Sequence, residues 1–191
     1  MFGNMLNSGQ VESLIAKKEV DLRPFDRSRF RLAHYALTPA VVSTIGDLDT
    51  RRRRKLTNVH DFNDEDDYVF DGNQYSIIQV AEYIRLPDGI VGHFVPSSTL
   101  VMNGFGLNSG KIDPGYGNIK GATQKLVLGV KNLLDRPNIF SSRSTFVYMY
   151  LLDLRGLGNG EVDFTAAEFQ KYMTWSKRFN RANDDGVNYG E

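Results

Sequence analysis

Two short polar segments hold the side chains of this 191-residue chain that could bind or act on a small ligand. The first is the run Ser97-Ser98-Thr99, whose hydroxyls and backbone amides could bind phosphate oxygens as a small anion nest does. The second is Asp113-Pro114-Gly115-Tyr116, which joins a carboxylate and a phenol. Both also have a structural interpretation, because hydroxyl runs cap turns and Pro-Gly is typical of type I and II turns.

The composition excludes most other catalytic classes. The chain has no cysteine, which excludes disulfides, thiolate metal sites and a cysteine nucleophile. The three histidines, His34, His60 and His93, are scattered and do not form a metal-ligand pattern, so no metal site is predicted.

The charge balance and hydropathy limit the partners. Lys+Arg and Asp+Glu both number 23, whereas a general nucleic-acid binder carries a basic excess, so direct nucleic-acid binding is not expected. No apolar run approaches the roughly 20 residues of a membrane-spanning helix, so no membrane partner is expected. The first residues lack the pattern of a secretory signal, and we expect a cytoplasmic location, with a virion as the alternative.

The N-terminal third of the chain predicts one helix, two strands and a charged excursion. Apolar residues at helical spacing after Ser8, a plausible cap, predict a helix over 9–19. Strands are predicted over 20–25 and 35–45. The block 46–72 carries the basic run Arg51–Lys55 and a following acidic run, which predicts a solvated loop whose opposite charges partly neutralise each other.

From residue 75 onward the pattern is β-rich. Short apolar runs separated by turn residues predict strands over 75–80, 83–86, 90–95, 125–130 and 144–152, with a loop over 104–110. Many short strands without a βαβ rhythm indicate a mainly β sandwich or barrel-like fold.

The C-terminal part predicts a helix and an arm. Thr165 and Glu168 form a capping-box pattern ahead of an amphipathic helix over 166–180, and the last ten residues are polar. We therefore expect an N-terminal segment with its helix over 1–19 and a β domain over 20–157, into which the charged loop 46–72 is inserted. The C-terminal helix and arm occupy 158–191.

A family resemblance rests on three stretches of this sequence. Ser97 to Gly104 followed by Gly110 to Gly117 resembles the two central boxes of the dCTP deaminase and trimeric dUTPase superfamily. Ile84 to Gly92 resembles the strand-turn-strand that precedes the first box, and the order of elements agrees over about residues 10–155. The resemblance implies a dUTPase-like β-barrel or jelly-roll subunit that assembles as a homotrimer, within a larger assembly as a further option.

The departures from the family pattern concern its deaminase chemistry. The deaminases use a glutamate as general acid and base, and aligning the strand around Leu128 places Gly129 at that position. The box arginines are replaced by Ser97 and Met102, and the tyrosine–aspartate pair of an earlier strand has become Tyr35-Ala36. Cytosine deamination is therefore not expected.

The resemblance also implies roles for the residues that remain. In dUTPases of this superfamily the aspartate that corresponds to Asp113 orients the attacking water, and the tyrosine that corresponds to Tyr116 packs on the deoxyribose. Asp113 is the candidate catalytic residue, and the candidate nucleotide-binding residues are Ser97, Ser98, Thr99, Gly115 and Tyr116. The cofactor is open, with Mg²⁺ entering beside a bound triphosphate if the pocket works.

Two functional hypotheses follow from the sequence. The first is a non-catalytic trimeric protein that binds a deoxynucleotide or serves as a structural subunit, for example in a phage or virus particle. The second is a working deoxynucleotide enzyme, either a dUTP diphosphatase acting through Asp113 or, with less support, a dCTP deaminase. The missing glutamate and arginines favour the first.

Overall fold

A computed structural model describes residues 4–48, 54–62, 67–113 and 125–155 of the chain. The described part contains two α-helices, α1 (Ser8–Ala16) and α2 (Ser98–Met102), and a 3-10 turn at Arg27–Arg29. The strands are β1 (Asn4–Met5), β2 (Asp21–Arg23), β3 (Phe30–Arg31), β4 (His34–Ala36), β5 (Pro39–Leu48), β6 (Arg54–Asp61), β7 (Asp67–Phe70), β8 (Tyr75–Arg85), β9 (Ile90–Pro96), β10 (Phe105–Asn108), β11 (Lys111–Ile112), β12 (Lys125–Asn132), β13 (Asn138–Ser141) and β14 (Val147–Asp153). The predicted mainly β fold is confirmed.

The strands form two six-stranded antiparallel sheets and a small two-stranded one. The first sheet has the order β11-β9-β14-β4-β3, with β1 paired to β14. The second sheet has the order β10-β12-β8-β5-β6, with β2 paired to β8, and β13 pairs with β7 apart from both. Within the described residues neither large sheet closes on itself, so the architecture is a sandwich and the expected barrel closure is not observed.

A single hydrophobic core holds the two sheets together. Along β8 the side chains alternate strictly, so that Ile78, Val80 and Ile84 are buried while their neighbours face outward. Met149 of β14 and Tyr35 of β4 belong to the same buried cluster, although both lie in the first sheet. The inner faces of both sheets therefore share one core, as period-two alternation requires.

The predicted N-terminal helix is confirmed, but it begins one residue away from the expected cap. Asn7 is the N-cap residue, and its side-chain oxygen accepts the backbone N–H of Gln10 at 3.0 Å. The Gln10 side chain in turn accepts the N–H of Asn7, which completes a capping box. Among the described residues no helix is long and apolar enough to cross a membrane.

The prediction that 46–72 forms a solvated loop is wrong for its described part. This block contains β6 and β7, because the chain satisfies its backbone hydrogen bonds by pairing β6 with β5 and β7 with β13. Phe70 at the end of β7 is fully buried, with its ring centroid 5.3 Å from that of Phe105. Charge patterning described the exposed face of these strands and missed this buried anchor.

Other boundaries also differ from the expectations. The runs 75–80 and 83–86 form one continuous strand of 11 residues, and the expected loop 104–110 contains β10. The strand expected over 144–152 begins only at Val147, because residues 142–146 lead from β13 into β14. The helix 166–180 and the arm lie outside the described residues, and the domain boundaries remain predictions.

Among the described residues, one carboxylic acid is buried within the core, namely Glu82 of β8. Its carboxylate accepts the backbone N–H of Thr38 at 3.0 Å and the Thr38 hydroxyl at 2.8 Å. Burial raises the pKa of Glu82 above its usual value, and the Thr38 hydrogen bonds and the charge of Arg29 offset only part of that rise. Glu82 thus links β8 to the start of β5, and this link requires the burial of a carboxyl group.

We predict that this acid makes the folded state less stable as the pH rises. A native pKa above the unfolded value of about 4.5 means that the native state holds more protons in that window. The free energy of unfolding therefore falls as the pH rises from the unfolded pKa through the folded one. A Glu82→Gln variant has no proton to lose, so its stability should improve relative to the parent between pH 4 and pH 7 in urea titrations.

The exposed turn residue Asp88 supplies the matched control, since Asp88→Asn makes the same acid-to-amide change outside the core. Unfolding curves of Glu82→Gln and parent that stay a constant distance apart across this pH range would contradict the prediction.

Candidate functional site

The Ser97 hydroxyl is used inside the protein. Ser97 is 3% exposed and caps α2, where its oxygen accepts the backbone N–H of Leu100 at 3.0 Å. The same hydroxyl donates to the carbonyl oxygen of Thr145, which precedes β14. Ser97 therefore caps α2 and joins it to the segment before β14.

The next two residues of the run are accessible. Ser98 and Thr99 lie exposed in the first turn of α2. Thr99 borders a shallow depression between α2 and β13, together with Asn103 and Ser141. Their hydroxyls are the part of the predicted phosphate-binding run that an external ligand can reach.

Asp113 follows β11, the edge strand of the first sheet. Its side chain is 37% exposed and forms an ion pair with the ammonium group of Lys111, two residues earlier on the same face. Exposed ion pairs of this kind are worth roughly 0–1 kcal/mol, so a ligand can open this one at little energetic cost. Gly115 and Tyr116 lie outside the described residues, so their predicted roles remain predictions.

The two candidate segments are held by different contacts. Within the described residues, hydrogen bonds join Ser97 to Thr145 and Asp113 to Lys111, and no hydrogen bond joins one segment to the other. If one ligand contacts both segments, it must span the space between them itself or lie between copies of the chain.

Gly129, which the resemblance aligns with the family's glutamate, lies under an aromatic ring. Gly129 sits in the middle of β12, opposite Ile77 of β8 and Asn108 of β10. A Cβ atom built on Gly129 would lie 2.1 Å from the hydroxyl oxygen of Tyr75 and 2.8 Å from its Cζ atom. The Tyr75 phenol therefore occupies the space into which any side chain at position 129 would project.

Sequence reasoning identified Gly129 but missed Tyr75. Tyr75 pairs with Lys131, two residues beyond Gly129, and cross-strand pairs share a face of the sheet. The outward positions of β8 were readable from its period-two pattern. The register between β8 and β12, which sets Tyr75 diagonally across from Gly129, could not be predicted from the sequence.

The other departures from the family pattern involve Tyr35, Ala36 and Met102, and each of these residues is either buried or uncharged. Tyr35 is 2% exposed, its hydroxyl accepts the backbone N–H of Asp26 at 3.1 Å, and burial raises its pKa. Ala36 beside it is also buried. Met102 is 84% exposed at the end of α2, where it presents its thioether to solvent.

The described residues do not by themselves form a magnesium site. They contain no cluster of three or more histidine, aspartate or glutamate side chains that could hold a metal ion. The carboxylate of Asp113 is the acidic group of the candidate segments, and it is bound to Lys111. Mg²⁺ prefers several oxygen ligands, so the side chains of the described residues do not fit a resident ion.

Comparisons with known proteins agree with this fold. A family model described as dCTP deaminase-like matches residues 5–143. A deoxyuridine 5'-triphosphate nucleotidohydrolase of Methanocaldococcus jannaschii is 36% identical over 69 residues, which are 35% of this chain and 44% of that protein. This chain thus matches less than half the length of that relative.

Two solved structures are also similar. The 2'-deoxycytidine 5'-triphosphate deaminase of Agrobacterium tumefaciens superposes with a TM-score of 0.57 at 13% identity, over 80% of this chain and 49% of that one. The native EIAV dUTPase superposes with a TM-score of 0.46 at 14% identity, over 76% of this chain and 98% of that one. At this identity the deaminase supports the fold alone.

The contact between Tyr75 and Gly129 predicts the effect of adding one methyl group. Gly129→Ala should lower the free energy of unfolding by about 0.5–1.5 kcal/mol, because the new Cβ atom forces the exposed Tyr75 ring out of its rotamer. In a Tyr75→Ala background the same substitution should be nearly neutral. Urea titrations of the four proteins of this double-mutant cycle measure the coupling.

Gly110→Ala serves as the control, since nothing lies within 4 Å of the Cβ position at Gly110. An equal loss of stability for Gly129→Ala with and without the Tyr75 ring would show that the ring does not fill this space.

Proposed function

Because this chain belongs to the dCTP deaminase-like family, we propose that it binds a deoxynucleotide without deaminating it. The observation that carries the proposal is the Tyr75 phenol above Gly129. Deamination by the mechanism that the resemblance implies needs a carboxylate at this position to move a proton. Losing a positioned acid or base typically lowers a rate by roughly 10²–10⁴. Here the carboxylate is missing and its space is filled.

The substituted arginines support the same proposal. An arginine fork binds a triphosphate through charge-assisted hydrogen bonds, which are about twice as strong as neutral ones. Ser97 offers a neutral hydroxyl that is already bound within the protein, and Met102 offers no donor. The donors that remain for a phosphate group at the start of α2 are the exposed hydroxyls of Ser98 and Thr99. Neutral hydroxyl donors favour weak binding over turnover.

A second candidate function is dUTP hydrolysis through Asp113. The observation that favours it is the half-exposed Asp113 carboxylate in an ion pair that a ligand can open. In this role the carboxylate would accept a hydrogen bond from water and orient it for attack on a phosphate. The partial match to the nucleotidohydrolase of Methanocaldococcus jannaschii makes this reaction class the one to test first.

We predict no ammonia release from dCTP, and dependence of any dUTP hydrolysis on Asp113. The purified chain is incubated with dCTP or dUTP and Mg²⁺, ammonia and pyrophosphate are measured, and binding is followed by thermal melting. Asp113→Asn should abolish any pyrophosphate release, with Asp88→Asn as the matched exposed control. Ammonia release from dCTP near the typical enzyme rate of about 10 s⁻¹ would overturn the main proposal, as would absence of both binding and turnover.

We also propose that the chain forms a homotrimer, alone or within a larger assembly. An exposed apolar surface supports this: Ile139 of β13 lies opposite Val69 of β7, and the two are 59% and 55% exposed. The Asn138 amide donates to the Asn103 carbonyl oxygen at 2.7 Å, which brings the exposed end of α2, with Met102, beside this strand pair. Isolated surface hydrophobics are common, but a group of them marks a contact surface.

Light scattering on the purified chain should give three times the mass of one chain. Ile139→Lys combined with Met102→Lys should dissociate the trimer, because two buried, unpaired charges are costly at an interface. Leu32→Lys is the control, as Leu32 is 89% exposed on the turn between β3 and β4. A parent protein that stays monomeric at micromolar concentration would contradict the proposal.

A further inference from the structure

Strand β6 forms a long edge of the second sheet. It pairs with β5 on one side, and no other strand of the described residues pairs with it on the opposite side. Its eight residues contain neither proline nor glycine, and six of them are exposed. The strands β11, β3 and β10, at the other ends of the two large sheets, have only two to four residues. Long unpaired edges present N–H and C=O groups to another strand, so β6 can accept one.

The register between β5 and β6 shows which side chains of β6 share a face. Asn58 lies opposite Ser43. The next pair joins His60 to Val42, so Val59 is the extra residue of a β-bulge. Side chains alternate along a strand, and the bulge shifts this alternation by one position. One face of β6 therefore carries residues from both sides of the bulge, namely Arg54, Leu56, Asn58 and Asp61.

The two ends of β6 carry opposite charges. Arg54 and Lys55 are exposed at its start, and Asp61 is exposed at its end. The Arg54 guanidinium donates to the Gly46 carbonyl oxygen at 3.2 Å, and because this acceptor is neutral the positive charge is retained. Strand residues advance about 3.3 Å each, so Arg54 and Asp61 lie ~20 Å apart, beyond the screening length of about 8 Å at physiological salt. Within one copy these charges do not neutralise each other along the strand.

We propose that β6 pairs antiparallel with β6 of a second copy of this chain, about a two-fold axis through Thr57. Antiparallel pairing brings the basic start of each strand to the acidic end of the other. Residues that lie opposite each other share a face, and this axis places Leu56 opposite Asn58. It also places Arg54 opposite Asp61, because the bulge residue of each strand is passed over. Moving the axis to Asn58 would set Leu56 opposite Asp61 and lose the charge match.

This contact is separate from the proposed trimer. The exposed apolar residues Ile139 and Met102 lie on β13 and α2, and not on the edge of the second sheet. One strand pair is small beside the roughly 1,200–2,000 Å² that stable complexes bury, so we expect pairing only at high protein concentration. Two-fold pairing then joins trimers into a larger assembly, whereas a chain that does not form trimers would pair into dimers.

Cysteine cross-linking of the full chain tests this register, because the chain has no cysteine of its own. In the variant Thr57→Cys the two introduced thiols lie opposite each other on the axis, within the Cα separation of about 4.4–6.8 Å that a disulfide spans. Val59→Cys is the matched control on the same strand, where Val59 is 44% exposed. It lies two positions from the axis on each strand, so its two Cα atoms are more than about 7 Å apart and cannot be bridged.

We expect at least tenfold more disulfide-linked dimer from Thr57→Cys than from Val59→Cys, on non-reducing gels after mild oxidation at submillimolar protein. Leu32→Cys measures cross-linking by chance collision, since Leu32 is 89% exposed on the first sheet's turn between β3 and β4. It should also give little dimer.

A charge variant makes the test independent of thiol chemistry. Thr57→Lys places two like charges opposite each other on the axis, which destabilises a cross-strand pair. Sedimentation of the parent at submillimolar concentration should show species heavier than those at micromolar concentration. Thr57→Lys should remove these heavier species, and Leu32→Lys should retain them.

Equal cross-linking of Thr57→Cys and Val59→Cys, or none from either, would overturn the proposal. The second result is also the one expected if another segment of the chain covers this edge. Heavier species that persist in Thr57→Lys would count against it as well. Melting curves check that each variant is folded. Failure of the trimer is distinguishable, because Thr57→Cys would then still cross-link while the mass at micromolar concentration is that of one chain.

Discussion

The strict alternation of side chains along β8 is the constraint on which the rest of the structure depends. This strand pairs with β2, β5 and β12, so its register fixes half of the second sheet. Its inward residues fill the shared core, including the buried acid Glu82. The positions of its outward residues are therefore fixed as well, because a shift of the strand register by one residue would exchange the two faces. Tyr75 covers Gly129 as a consequence of the same alternation that builds the core.

This constraint links the stability of the fold to the chemistry of the site. Glu82 and Tyr75 lie on opposite faces of this strand, so the register that brings the Glu82 carboxylate to Thr38 also sets the Tyr75 ring over Gly129. A side chain at position 129 would require the Tyr75 ring to turn aside, which its exposed position allows without a shift of the strand.

The sequence predicted the parts of the fold that depend on local pattern. Helix α1 and the strands around Ile78, Ile90 and Leu128 follow from apolar periodicity. The charged block 46–72 was misread because its exposed residues dominate the composition, whereas the buried Phe70 that anchors it is a single residue. Strand β13 was missed for the same reason: it has four residues, and its structure depends on pairing with β7.

The site was harder to predict because its contacts join residues far apart in the chain. Sequence reasoning selected Ser97 for its hydroxyl, but it could not place the Thr145 carbonyl beside it, 48 residues later. It likewise placed His93 outside any metal-ligand pattern, without the register that stacks it on Tyr150. Cross-strand neighbours decide whether a polar side chain is occupied within the protein or presented to a ligand.

Asp113 shows what such neighbours imply for function. The resemblance assigns it a water-orienting role, and the structure adds Lys111, whose own cross-strand neighbour is His93. A ligand that draws the Asp113 carboxylate must therefore first open its ion pair with Lys111. Opening an exposed pair of this kind costs roughly 0–1 kcal/mol, so the strength of binding at Asp113 depends on the contacts of the ligand more than on the loss of this pair.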